Sequence, residues 1–258
     1  MAQVSRRDLL SSSGILLGST ALGLGAAQAN AEDQQASPRR KLKIVVVGGH
    51  PDDPESGCGG TIARYVDAGH EVVAMYLTRG EAGIKGKSHE ETARIRSAEA
   101  REACKILGAR PVFVGQICSA TEINRQRYAE FRKILEAEKP DMVFTHWPID
   151  RHPDHRVASL LTYHTWVYTK VKKFALYYYE VYSGIETQQF APTDYVDISA
   201  TEARKRAAVA AHASMGHESI YVRHDIMNRF RGIEFVCEYA EAFVRQVQRP
   251  ETSVIVGY

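Results

Sequence analysis

Two short runs carry most of the chemistry available to this chain: His50-Pro51-Asp52-Asp53 and, much further along, His152-Pro153-Asp154-His155. Imidazole nitrogen and carboxylate oxygen are the ligands of a catalytic zinc that keeps one position open for water or substrate. Two histidines and one carboxylate drawn from the two runs would supply that set, and non-haem iron(II) uses a similar trio. Each run taken alone also reads as a turn, in which proline fixes the backbone and aspartate accepts main-chain N–H groups. Two such runs, the first with an additional aspartate, outweigh that reading. Residue types alone therefore point to a metal-dependent hydrolase whose substrate stays open.

The elements around the runs place them together. Lys43-Ile44-Val45-Val46-Val47 is an unbroken β-branched stretch ending at Gly48-Gly49, the pattern of a strand buried on both faces of a parallel sheet. A helix is predicted over 61–68, stopping at Gly69, and a strand over 71–78. Ser88 with Glu91 forms a capping box that opens a long amphipathic helix running to Gly108. The alternation repeats with strands over 111–114, 141–145 and 175–182 and helices over 126–138 and 154–168. Two less regular helices are expected over 201–213 and 239–247. This is the α/β class: a Rossmann-like, mainly parallel sheet with helices on both faces, in a single domain spanning 42–258. Ligands of such sheets bind beyond the carboxyl ends of the strands. The first run directly follows the strand at 43–47 and the second follows the strand at 141–145.

The chain has 258 residues, 44% hydrophobic and 25% charged, an ordinary globular composition. Its N-terminus stands apart. Arg6-Arg7 precedes Leu9-Leu10 and a weakly polar run from Gly14 to Ala27, followed by Ala29-Asn30-Ala31. That pattern predicts a twin-arginine-type signal peptide over 1–31 and a polar leader over 32–41. The expected partner is the twin-arginine export machinery, and the expected location is periplasmic or extracellular. The apolar run is too short and too interrupted by glycine to span about 30 Å of hydrocarbon, so no stable membrane span is expected. A formal net charge of +2 without a basic block offers no footprint for nucleic acid. Cys58, Cys104, Cys118 and Cys237 form no CxxC pair and read as buried free thiols.

The motifs resemble those of the PIG-L/LmbE-like N-acetylglucosaminyl deacetylases. His50-Pro51-Asp52-Asp53-Pro54-Glu55 with Gly57-Cys58-Gly59-Gly60-Thr61 is similar to the first motif of that family, and His152-Pro153-Asp154-His155 to its second. The likeness continues through Leu77-Thr78-Arg79-Gly80-Glu81-Ala82-Gly83, through Arg96 to Gly108, and to Tyr239-Ala240-Glu241-Ala242-Phe243. The resemblance implies removal of the acetyl group from an N-acetylglucosamine-type sugar or oligosaccharide. It implies one Zn2+ per chain, with Fe2+ as the other candidate, held by His50, Asp53 and His155. It gives Asp52 the role of general base, and His152 that of stabilising the oxyanion or protonating the leaving amine. Asp154 would hold an imidazole in one tautomer or cap the following helix.

Some relatives carry a tyrosine where this chain has Asp150, so no tyrosine-assisted step carries over at that position. Arg79, Glu81 and Arg96 are candidates to reach sugar hydroxyls. Gly57-Cys58-Gly59-Gly60 completes neither GxGxxG nor GxxxxGK[ST] and reads as close helix–strand packing. Trp147 and Tyr177-Tyr178-Tyr179 suit core packing better than stacking on a sugar, and His146, His164, His212, His217 and His224 have no spacing partner. Two competing readings are an amidohydrolase acting on another acylated amine and an envelope sugar-binding protein without turnover. The presence of Asp52 and His152 counts against the second.

Overall fold

Val45 and Val47 point to one side of the first strand, Ile44 and Val46 to the other, and all four are buried. A strand with two buried faces needs helices on both, and the computed structural model, which describes residues 40–247, has that arrangement. The expected signal peptide over 1–31 and most of the leader over 32–41 lie outside the described residues.

In chain order the elements are β1 Lys43–Gly48, α1 Asp53–Asp67, β2 Glu71–Tyr76, α2 His89–Leu107, β3 Arg110–Phe113, α3 Arg125–Ala137 and β4 Met142–His146. There follow α4 Pro153–Tyr168, β5 Ala175–Tyr179, β6 Asp194–Asp197, α5 Glu202–Ala210, α6 His217–Phe235 and β7 Ala240–Arg245. Among the described residues seven strands form one sheet in the order β3-β2-β1-β4-β5-β7-β6. β1 to β5 pair in parallel, while β7 runs antiparallel to both β5 and β6. Strand order reverses between β1 and β4, so the crevice at this switch point opens where both His-Pro-Asp runs leave the sheet.

One face is packed by α3 and α4 through Phe131, Leu135, Ala158 and Leu161 against Val45, Val73 and Val143. The other is packed by α1, α2 and α5 through Cys58, Ile62, Leu107 and Ala208 against Ile44, Val72 and Phe144. Each fully buried aliphatic side chain contributes roughly 1.5–3 kcal/mol by leaving water. α1 lies very close to the sheet. A Cβ on Gly57 would stand 2.3 Å from the Tyr179 ring, so only glycine fits there, as the packing reading anticipated. Glu241 of β7 reaches into the middle of α1, accepting from Gly60 N–H at 2.9 Å and Thr61 N–H at 2.8 Å. The fully buried Lys205 donates to the same carboxylate at 2.7 Å.

Several expectations need correction. Residues 239–247 are not a helix: Ala240–Arg245 is a strand, because β5 and β6 present backbone partners on both of its edges. The first helix starts at Asp53 rather than residue 61, since its glycines are where Tyr179, Lys205 and Ile198 press against it. The strand expected over 175–182 stops at Tyr179, and β6 and α6 were not anticipated. Cys58, Cys104 and Cys118 are buried free thiols, and Cys237, also free, is partly exposed. No helix among the described residues is long and apolar enough to cross a membrane.

Candidate active site

The first run turns the chain out of β1 and into α1. His50 N–H donates to Asp53 Oδ2 at 2.7 Å, and Pro54 occupies the first turn of α1, where its missing N–H is not needed. Asp52, between them, has φ 109°, a left-handed conformation that an L residue adopts only when its surroundings enforce it. The second run performs the same turn between β4 and α4. His152 caps α4, its Nδ1 accepting from Asp154 N–H at 3.2 Å, and Pro153 opens the helix. Because β1 and β4 are neighbours, both helices start beside one crevice.

There the carboxylate of Asp53 stands between two imidazoles. Its Oδ2 is 3.3 Å from His50 Nδ1 and its Oδ1 is 3.3 Å from His155 Nε2. The opposite nitrogen of each ring is braced by another carboxylate: His50 Nε2 lies 3.0 Å from Asp154 Oδ2, and His155 Nδ1 lies 3.1 Å from Asp150 Oδ1. All five side chains are buried. A metal-ligating histidine characteristically gives its second nitrogen to a carboxylate, which fixes ring and tautomer. Among the described residues three overlapping groups have ligand atoms close enough together to hold a divalent cation of the zinc class: His50, His152 and His155; Asp53, His146 and His155; and His50, Cys118 and Asp154. Burial opposes charge on His155, but the carboxylates of Asp53 and Asp150 outweigh it and raise its pKa to about 9. Burial likewise opposes charge on Asp154. Hydrogen bonds from His50, from Ser119 N–H at 2.8 Å and from the Thr121 hydroxyl at 2.6 Å hold its carboxyl well below the usual range.

The cavity above these groups has a volume of about 310 Å³ and is lined by His50, Asp52, Asp53, His152 and His155 on its floor. That is the lower end of the range for small-molecule sites. Asp52 Oδ2 accepts from Arg96 Nη2 at 3.0 Å. Burial raises the Asp52 carboxyl above its ordinary value, with Arg96 opposing the rise and the neighbouring Asp53 adding to it. The His152 ring is 4.5 Å from that of His50 and 4.7 Å from that of His155. Burial and those two neighbours push its pKa down to about 4.

The remaining sequence-predicted residues separate clearly. Asp154 lies behind His50 and does not line the cavity, so it acts on the site through that ring. Arg96 does line it, but its guanidinium is committed to Asp52 and to the carbonyl of Pro51. It packs so tightly under the loop that a Cβ at Gly80 (φ +69°) would meet Arg96 Nη1 at 2.1 Å. Arg79 and Glu81 stay outside the cavity: they pair with each other at 3.1 Å, and Glu81 also accepts from Cys118 N–H.

Sequence reasoning missed Asp150, His146, Tyr182 and Glu186. His146 ends β4, stacks on His155 at 3.9 Å, and its Nε2 lies 3.0 Å from Gly49 N and 3.2 Å from both Asp53 Oδ2 and the Tyr179 hydroxyl. Asp150 accepts from His155, from His152 N–H at 2.8 Å and from the Thr187 hydroxyl at 2.9 Å. Its spacing to the second run was the one signal available. Tyr182 and Glu186 reach the cavity from the loop after β5, where nothing in the sequence marks them.

Residues 45–166 match the family model described as PIG-L, GlcNAc-PI de-N-acetylase. The chain is similar to the diacetylchitobiose deacetylase of Thermococcus kodakarensis, with 28% identity over 195 residues, 69% of this chain and 72% of that protein. Its fold resembles a conserved protein from Thermus thermophilus at a TM-score of 0.71 and 29% identity, covering 84% of this chain and 100% of the other. It also resembles N,N'-diacetylchitobiose deacetylase from Pyrococcus horikoshii, solved with an inhibitor, at a TM-score of 0.73 and 24% identity. That match covers 83% of this chain and 89% of the other and is a likeness of fold.

Proposed function

Because this chain belongs to the PIG-L family, we propose that it hydrolyses the acetamide of an N-acetylglucosamine-type sugar with one zinc ion held by His50, Asp53 and His155. The observation that carries the reading is the Asp53 carboxylate between two buried imidazoles, each braced from behind by a carboxylate. Bound there, zinc would supply Lewis acidity for the carbonyl and for an attacking water. The chain's own residues handle the protons. Asp52, on the cavity wall and kept in place by Arg96, takes a proton from the water. His152, whose Nδ1 is engaged by Asp154 N–H, keeps its proton on Nε2 to donate a hydrogen bond to the oxygen that takes on negative charge, while Asp52 passes the proton it took on to the departing amine. His50 and His155 are held in register by Asp154 and Asp150. The substrate named for the Thermococcus relative makes short N-acetylglucosamine oligomers the first compounds to test.

The experiment is an acetate- and amine-release assay over a panel of N-acetylated sugars and N-acyl amino compounds, with metal content measured by elemental analysis. Acetate from the sugars alone supports the proposal. Release from the amino compounds alone would move the activity to another acylated amine, and binding without turnover would make the protein a sugar-binding module. Export through the twin-arginine pathway is part of the same proposal, resting on Arg6-Arg7 and the apolar run behind them. Changing Arg6 and Arg7 together to lysine should leave precursor in the cytoplasm; normal export of that variant would remove the pathway.

A further inference from the structure

Among the described residues, Cys118 is the one cysteine that lines the cavity, and it is buried there. Cys58 and Cys104 pack inside the apolar clusters against the sheet, where a thiol serves as a small hydrophobic group. Cys118 belongs to neither cluster. It stands instead beside two other ligand-bearing side chains: ligand atoms of Cys118, His50 and Asp154 all lie within 4.8 Å of one another, and all three residues are buried. The His50 nitrogen that faces Asp154 is Nε2, at 3.0 Å, so this group gathers on the side of the ring turned away from Asp53.

The loop after β3 is built to hold the sulfur at that place. Gln116 N–H donates to the carbonyl of Leu77 at 3.0 Å, and the Gln116 side-chain oxygen accepts from Glu122 N–H at 2.7 Å, which closes the loop at its base. Cys118 N–H donates to the buried Glu81 Oε2 at 3.1 Å. Ser119, with φ 65°, turns its own N–H onto Asp154 Oδ2 at 2.8 Å, and the Thr121 hydroxyl takes Oδ1 at 2.6 Å. A left-handed backbone at a residue other than glycine persists only where its surroundings enforce it. Glu81, a sequence candidate for sugar contact, thus holds a thiol in position. Thiolate, imidazole and carboxylate together suit a soft cation of the zinc class, whereas magnesium and calcium take oxygen ligands. The cavity gives such a cation its way in.

We propose that Cys118, His50 and Asp154 form a second cation site, for zinc or cadmium in excess of the catalytic metal, and that filling it stalls the enzyme; the stalling rests on the deacetylase reading. On binding, the Cys118 thiol and His50 Nε2 each lose a proton to solvent and bond to the cation. Nothing is oxidised or reduced. The hydrogen bond between His50 Nε2 and Asp154 is broken, so the ring loses the brace that keeps Nδ1 toward Asp53.

The test titrates cadmium into protein already loaded with zinc and follows the ultraviolet thiolate-to-cadmium charge-transfer band together with acetate release. Wild type is expected to develop the band, saturating at about one added cation per chain, and to lose activity in step with it. Cys118→Ser and Cys118→Ala should lose the band while elemental analysis still finds the first metal. Their rates, each taken relative to its own value before cadmium, should fall far less than that of wild type. Cys237→Ser, which removes the partly exposed thiol, should respond as wild type does. No band in wild type, or a full band in both Cys118 variants, would overturn the second site. Loss of the band in those variants with wild-type sensitivity to cadmium would overturn the stalling. A wild-type protein that releases no acetate from any N-acetylated sugar would remove the deacetylase reading and the stalling with it, and the band would then decide for or against the site by itself.

Discussion

Removing the Asp150 carboxylate tests whether the metal site depends on the groups behind its ligands. Asp150 is 5% exposed, and its two oxygens accept three hydrogen bonds, from His155 Nδ1, His152 N–H and the Thr187 hydroxyl. Asp150→Ala frees the His155 ring to rotate about χ2 and removes the charge that favours a proton on Nδ1 and a lone pair on Nε2. Losing such a carboxylate weakens metal affinity by about 10- to 100-fold. The upper end applies here, since no other carboxylate is as close to that nitrogen: Glu186 stands 4.0 Å away. The same change strands all three donors, at a cost of about 2–3 kcal/mol, so the metal-free protein should melt about 5–10 °C lower. Asp150→Asn separates the two effects. With its amide oxygen at the Oδ1 position it still accepts from His155 and His152 N–H, so stability should stay near wild type. Loss of the charge alone should then cost about 10-fold in zinc affinity. Zinc competition against a chromophoric chelator, alongside calorimetric melting of the metal-free variants, gives both numbers. Wild-type zinc affinity in Asp150→Ala would refute the bracing argument and with it the choice of His155 Nε2 as a ligand atom.

The adjacent aspartates should fail differently: Asp52→Asn keeps zinc near stoichiometric but loses about 10²-fold or more in turnover, whereas Asp53→Ala loses zinc first and regains activity partly in excess metal. Elemental analysis beside the rates would exchange the two roles if the pattern came out reversed. Gly57→Ala places a methyl 2.3 Å from the Tyr179 ring. It should lower stability by about 1–3 kcal/mol, as overpacking does, and reduce zinc affinity by shifting the start of α1; an unchanged denaturation midpoint would contradict the close-packing account.

The strands from β1 to β5 were legible because each is a short apolar run in a doubly buried sheet, and the two His-Pro-Asp runs because proline and aspartate mark the turns at their ends. What escaped detection depended on partners distant in sequence. Tyr239-Ala240-Glu241-Ala242 carries helix-forming residues, yet it is a strand because open sheet edges and Lys205 receive it. The start of α1 was hidden by Gly57, Gly59 and Gly60, which propensity counts against a helix and packing requires. Asp150 was noticed only as a missing tyrosine, since a carboxylate that steadies a ring has no spacing rule of its own. Arg96 looked like a sugar contact because sequence shows charge and not what neutralises it.

The position of β7 sets when the site can come into being. A ribosome releases α1, with Asp53 at its head, well before it releases Glu241, whose carboxylate ties down two N–H groups in the middle of that helix. β7 must then slip between β5 and β6, elements already made, so the sheet cannot close in the order of synthesis. A chain ending before β7 is thus expected to carry both His-Pro-Asp runs on a first helix that lacks its Glu241 tether.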